Sequence, residues 1–144
     1  MSATDTAIRS PGTHRFPRLL GAGLVATLAA TLAAGLIAAL ARAAGVDFEV
    51  DGGETIPVSG IAFQVGCFSL VGVVLAAAIL RWRARPAELF ARTAVTLTAI
   101  SLAPPVLWGS GASTVVTLVG LHLVVAAVMV PALTRSLRRV SDPA

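Results

Sequence analysis

Four apolar runs, Leu19–Ala41, Ile56–Leu80, Leu89–Trp108 and Thr114–Leu133, restrict this chain more than any other feature. A helix needs about 20 residues, within a range of roughly 17–25, to cross the hydrocarbon layer of a bilayer, and each run has that length. The connectors between them are too short to hold a separate soluble domain. Composition agrees: of 144 residues, 56% are hydrophobic and 12% charged, and the mean hydropathy is +0.88. Soluble domains carry about a quarter charged residues, so this chain has about half the charge that a water-facing surface requires. The expected fold is all-α, a compact antiparallel bundle of four transmembrane helices at about 19–41, 57–80, 87–108 and 114–134. These form one membrane domain over 19–134.

All eleven basic residues are arginine, and they flank the apolar runs. They do not gather on a soluble face with stacking aromatics, so nucleic acid is not an expected partner. Arg9, Arg15 and Arg18 precede the first run, Arg81, Arg83, Arg85 and Arg92 surround the middle connector, and Arg135, Arg138 and Arg139 follow the last run. Arg42 alone lies on the other side. The positive-inside rule therefore places both termini and the middle connector in the cytoplasm. Residues 1–18, polar and punctuated by Pro and Gly, read as a disordered cytoplasmic tail, and 135–144 as a basic cytoplasmic tail. A basic segment before an apolar run also resembles a signal peptide, and Ala39-Leu40-Ala41 mimics a cleavage site. Signal-peptide cores are about 7–15 residues long, so the longer first run reads as an uncleaved helix. Arginine and alanine abundance points to a GC-rich bacterial genome, and hence to a multi-pass protein of a bacterial cytoplasmic membrane. Arg81, Arg83, Arg85, Arg135, Arg138 and Arg139 suit anionic lipid headgroups. Cys67 is the one cysteine, which rules out an intrachain disulfide.

Along the chain, the first helix is ordered in rows four residues apart. Leu20, Leu24, Leu28, Leu32, Leu36 and Leu40 form a bulky ridge, beside rows of small residues that include Ala22 to Ala38 and Gly23, Thr27, Thr31, Gly35 and Ala39. Rows at i±4 are helix ridges, and small ones let another helix approach closely in lipid. Such rows serve either a dedicated dimer face or packing inside the chain's own bundle. The first connector holds Asp47, Glu49, Asp51 and Glu54; alternation with Val46, Phe48 and Val50, followed by Asp51-Gly52-Gly53, signals a small extracytoplasmic β-hairpin at 46–58. Its acids could hold a divalent cation or simply form a solvated loop, although three carboxylates on a short strand do not close the oxygen cage calcium prefers. In the second helix, Gly60, Gln64, Cys67 and Val71 share a face that is expected to point inward. In the third, Pro104-Pro105 predicts a kink or early stop with Ala103 pushed from α geometry.

The chemistry-bearing residues are few. Ionisable side chains inside a membrane are functional candidates, and His122 is the one histidine within a run. Gln64, Cys67, Thr98 and Ser101 are its candidate neighbours, and His122, Gln64, Cys67 and Ser101 make up the candidate intramembrane polar site. Three readings stand: a neutral imidazole bonded across a helix interface, a proton- or ligand-handling group, or half a metal site with Cys67. No run interior holds a carboxylate for proton-coupled exchange. A membrane-embedded acid in the first helix marks the small four-helix multidrug exporters, and this first helix has none. No nucleophile–base pair or metal cluster marks an enzyme, and Cys in apolar surroundings is normally inert. The sequence therefore gives no expectation of a catalytic residue, cofactor or metal.

An acidic Gly-Gly loop after the first helix, an arginine-rich turn, Ser101-Leu102-Ala103-Pro104, and Leu121 to Ala126 leading to Val130-Pro131 together resemble a family of small actinobacterial four-helix integral membrane proteins with no assigned function. The resemblance implies architecture and host, and supplies no catalytic residues. The expected role is a non-enzymatic accessory or interaction subunit, with another membrane protein or a second copy as partner. The alternative is a small oligomeric transporter or channel using the midplane His122, Gln64 and Cys67 face, with Gln64 and Cys67 near the midpoint of the second helix.

Overall fold

The computed structural model describes residues 14–141; the expected disordered stretch before residue 14 and the end of the expected basic tail after residue 141 lie outside them. The elements run α1 (Arg15–Ala43), β1 (Glu49–Val50), β2 (Glu54–Thr55), α2 (Val58–Trp82), α3 (Pro86–Ser101), α4 (Ala103–Trp108) and α5 (Ala112–Ser141). α3 and α4 form one apolar unit, so four helical units are long and apolar enough to cross a membrane. This is the expected all-α multi-pass architecture. It follows from a backbone that must satisfy its own amides wherever lipid replaces water. α1 lies between α2 and α5, and α5 lies between α1 and α3, while α2 and α3 meet less extensively.

The small residues of α1 decide which way it faces. Ala26, Ala30, Ala34 and Ala38 are buried, as are Gly23 and Thr27, whereas the leucine ridge from Leu20 to Leu40 is 43–72% exposed. Packing within the chain's own bundle therefore takes up these rows. A β-carbon on Gly35 would rest 3.7 Å from Ala62 Cβ, and one on Gly66 would rest 3.5 Å from Thr31 Oγ1. With Gly23 against Val73, these pairs set the antiparallel register of α1 and α2. Lipid can face the leucines because it is as apolar as they are, and what the interior selects is shape.

Two apolar clusters divide the core. Leu19, Ala30, Val73, Phe90, Leu133 and Leu137 belong to the one near the chain's basic end. Ala34, Ala38, Phe48, Ile61, Leu118 and Leu121 form the one beneath the hairpin. The basic-end packing extends both terminal helices past their apolar runs. α1 begins at Arg15, so residues 15–18 are helical where a tail was expected, and α5 continues through Pro131 to Ser141. Arg135, Arg138 and Arg139 consequently stand on α5. Buried Leu133, Leu137 and Val140 hold that last stretch in place, and cations suit the negative end of a helix dipole.

The third unit breaks at Leu102, one residue before the expected Ala103, and Ala103 opens α4 in helical geometry. Pro104 and Pro105 then occupy the first turn of a new helix, where their missing N–H groups are not needed. The expected hairpin forms but is shorter than 46–58: Val50 pairs with Glu54, and Glu49 with Thr55, around Asp51-Gly52-Gly53. It is tied to the α4–α5 connector, because Asp51 N–H donates to Trp108 O at 3.0 Å and Ser110 N–H donates to Glu49 O at 3.0 Å. The expected alternation holds in burial: Phe48 is fully buried, while Asp47, Glu49 and Asp51 are exposed. Phe48 reaches the core only by adopting a φ of +53°, a region where a bulky side chain is an outlier.

Candidate functional site

Thr98, Ser101, Thr117 and His122 bond to carbonyl oxygens of a preceding turn in the helices that carry them. His122 is half-buried, and its Nδ1 lies 2.8 Å from Leu118 O. A carbonyl only accepts, so the proton of a neutral ring sits on Nδ1 and Nε2 keeps its lone pair. Ser101 donates its hydroxyl to Thr98 O at 2.8 Å, and Thr98 donates to Ala94 O at 2.8 Å. Such back-bonding to the preceding turn is how Ser and Thr are carried inside a helix. His122 follows the buried stripe of α5, since Leu118, Met129, Leu133 and Val140 lie on the same side at four- and seven-residue steps.

Gln64 and Cys67 are placed differently. Both are exposed on α2, together with Phe63 at 75%, Phe68 at 66% and Val71 at 60%. The expectation that the Gln64, Cys67 and Val71 face points inward is corrected by this placement. Ile61, Ser69, Val73, Ala76 and Ile79 form the buried side of α2 instead. The physical reason is close packing: α2 turns its Ser69–Val73 side to Gly23 and its small neighbours, where backbones can approach. Among the described residues, no hydrogen bond joins His122, Gln64, Cys67 or Ser101 to one another. The structure does not bring the four together as one site. Nor does any group of three His, Cys, Asp or Glu among the described residues lie close enough to hold a metal ion.

Gln64 stands about 9 Å along a helix about 37 Å long, at 1.5 Å per residue, nearer its start than the expected midpoint, because α2 begins at Val58. A hydrocarbon layer about 30 Å thick covers that depth. A carboxamide facing outward there offers two N–H donors and a carbonyl to whatever lies beside α2.

What the sequence did not foretell is an assembly of arginines at the basic end. Arg15, from the first turn of α1, donates its Nε–H to Val140 O near the end of α5. Arg15, Arg83 and Ser141 line a small cleft where α1, α5 and the α2–α3 connector converge. A larger one holds Arg18, Arg135 and Arg139. Arg85 and Arg92 instead turn to Glu88, at 3.9 and 3.6 Å, in exposed pairs of little energetic weight. No local motif signals these clefts, because Arg18 and Arg135 meet only when α1 and α5 pack.

A model of a family of unknown function, DUF6069, matches residues 14–139, and the chain belongs to that family. No curated protein matches the chain, and no solved structure does.

Proposed function

We propose that this member of the family is a non-enzymatic accessory or interaction subunit of a bacterial cytoplasmic membrane, with both termini cytoplasmic. Gln64 carries the reading. An amide left without a hydrogen-bond partner in an apolar medium costs several kcal/mol, and the exposed Phe63, Phe68 and Val71 around it offer none. A transmembrane helix of another membrane protein, with a hydrogen-bonding side chain at the same depth, would satisfy it. Interhelical bonds of that kind contribute about 0.6–2 kcal/mol. The arginine distribution supports the orientation through the positive-inside rule.

The test is purification of the tagged chain from its native membrane in mild detergent, as wild type and as Gln64→Leu, with complex mass and composition measured. A stoichiometric second protein that is retained by wild type and lost from Gln64→Leu supports the reading. A lone monomer in both overturns it. A homo-oligomer points to the alternative, a small transporter. Its path would have to run between copies, since Gln64 and Cys67 face away from the interior of their own chain. Solute flux in proteoliposomes that vanishes in His122→Ala would establish that alternative.

A further inference from the structure

The larger basic-end cleft, about 480 Å³, opens between the first turns of α1 and the last turns of α5. Arg18 stands on one wall, Arg135 and Arg139 on the other, and Ala22, Ala132 and Val140 supply its apolar surface. Volumes of a few hundred Å³ suit small ligands. Three guanidiniums around one cleft repel each other unless a counter-charge lies between them. Acid is scarce at this end: among the described residues it holds only Glu88, which is engaged by Arg85 and Arg92. The cleft also opens beside the amino-terminal turn of α1, which has no side-chain cap and no acidic residue. The positive end of the α1 dipole adds to the pull on an anion. The carboxyl end of α5 pulls the other way, but Arg138 and Arg139 in its last turn offset that.

Guanidinium forks match the paired oxygens of a phosphate. Arg18 directly precedes the first apolar run and Arg135 closely follows the last one, so the cleft lies where hydrocarbon gives way to water. We propose that this cleft is a phosphate-binding site. Its ligand carries more than one negative charge and is held by Arg18, Arg135 and Arg139. The phosphate comes either from an anionic phospholipid, whose acyl chains would follow the Ala22 and Ala132 surface outward, or from free phosphate in solution. Basic pockets between transmembrane helices are known to take headgroups of multiply charged lipids.

The full chain in a neutral detergent would be titrated with cardiolipin, with phosphatidylcholine and, separately, with inorganic phosphate, reading retained mass by native mass spectrometry and thermal midpoint. Wild type is compared with Arg18→Gln/Arg135→Gln/Arg139→Gln and with the control Arg81→Gln/Arg83→Gln/Arg85→Gln. Cardiolipin retention at least about tenfold weaker in the first triple variant but kept in the control supports the site with a lipid source. A midpoint raised by millimolar phosphate alone, and lost in the first variant only, supports it with a soluble source. Ala22→Phe, which narrows the cleft without changing charge, should weaken retention as well and does not depend on the arginine variants folding. Equal loss in both triple variants overturns the proposal, as does wild type that retains neither ligand or an Ala22→Phe variant that binds like wild type.

Discussion

A β-carbon on Gly23 would lie 2.7 Å from both methyl carbons of Val73, so α1 and α2 approach each other closely there. The neighbour cannot yield easily, because a β-branched valine in a helix has one strongly preferred χ1. Close approach at this point lets the rows of small residues in α1 face the interior and leaves its leucines to the lipid.

Gly23→Ala should therefore destabilise the bundle although alanine is the better helix former. Overpacking costs about 1–3 kcal/mol, more than the 0.5–1 kcal/mol gained by removing a helical glycine. Thermal unfolding in detergent would measure it, and adding Val73→Ala should recover most of the loss. An unchanged midpoint in Gly23→Ala would mean that the two helices do not touch there.

Phe48 is fully buried at φ +53°, so its packing outweighs its backbone strain. Truncation to alanine removes the packing and keeps the strain. Phe→Ala in a core costs about 3–5 kcal/mol, and the loss should appear as faster amide exchange at Asp51 and Ser110, which bond to Trp108 and Glu49. Phe48→Gly relieves the strain but loses the same burial, and should be destabilised slightly less than Phe48→Ala.

Thr27 Oγ1 and Ser69 Oγ are buried with no hydrogen-bond partner. An unsatisfied hydroxyl costs about 1–3 kcal/mol, so exchanging it for an apolar group of like shape should be neutral or stabilising. Thr27→Val and Ser69→Ala should each leave the unfolding midpoint unchanged or raised. A midpoint lowered in both, with the double variant no worse than either single one, would show that the two hydroxyls bond to each other across α1 and α2.

His122 bonds within its own helix, through Leu118 O at 2.8 Å. A single bond of this kind is worth about 0.5–1.5 kcal/mol, so His122→Leu should reduce stability by no more than that. A loss well beyond it in a denaturant titration would show that Nε2 also holds a partner on another helix.

How much was legible varies by residue. The four spans, the break near Pro104-Pro105 and the turn at Asp51-Gly52-Gly53 were visible because each depends on local chain chemistry: apolar length, missing amides and glycine. The helical stretch 15–18 was not visible, since packing of Leu19 extends the helix where polarity alone suggested a tail. The inward placement expected of Gln64 and Cys67 failed for a related reason. A polar residue on a soluble helix marks the outside, and in a membrane it is tempting to invert that rule. Yet a polar side chain in lipid can equally face a partner outside the chain.

Read alone, the residues determined that the chain forms four spanning helices with its arginines flanking their ends, because a backbone in hydrocarbon must bond to itself and apolar length measures the layer it crosses. Which face of each helix points inward, and which arginines meet, only the tertiary structure decided. Lipid and protein interior are equally apolar, so hydropathy cannot tell them apart. The choice falls to shape, to the space that Gly23 leaves for Val73 and to the packing of α1 on α5 that brings Arg18 beside Arg135 and Arg139.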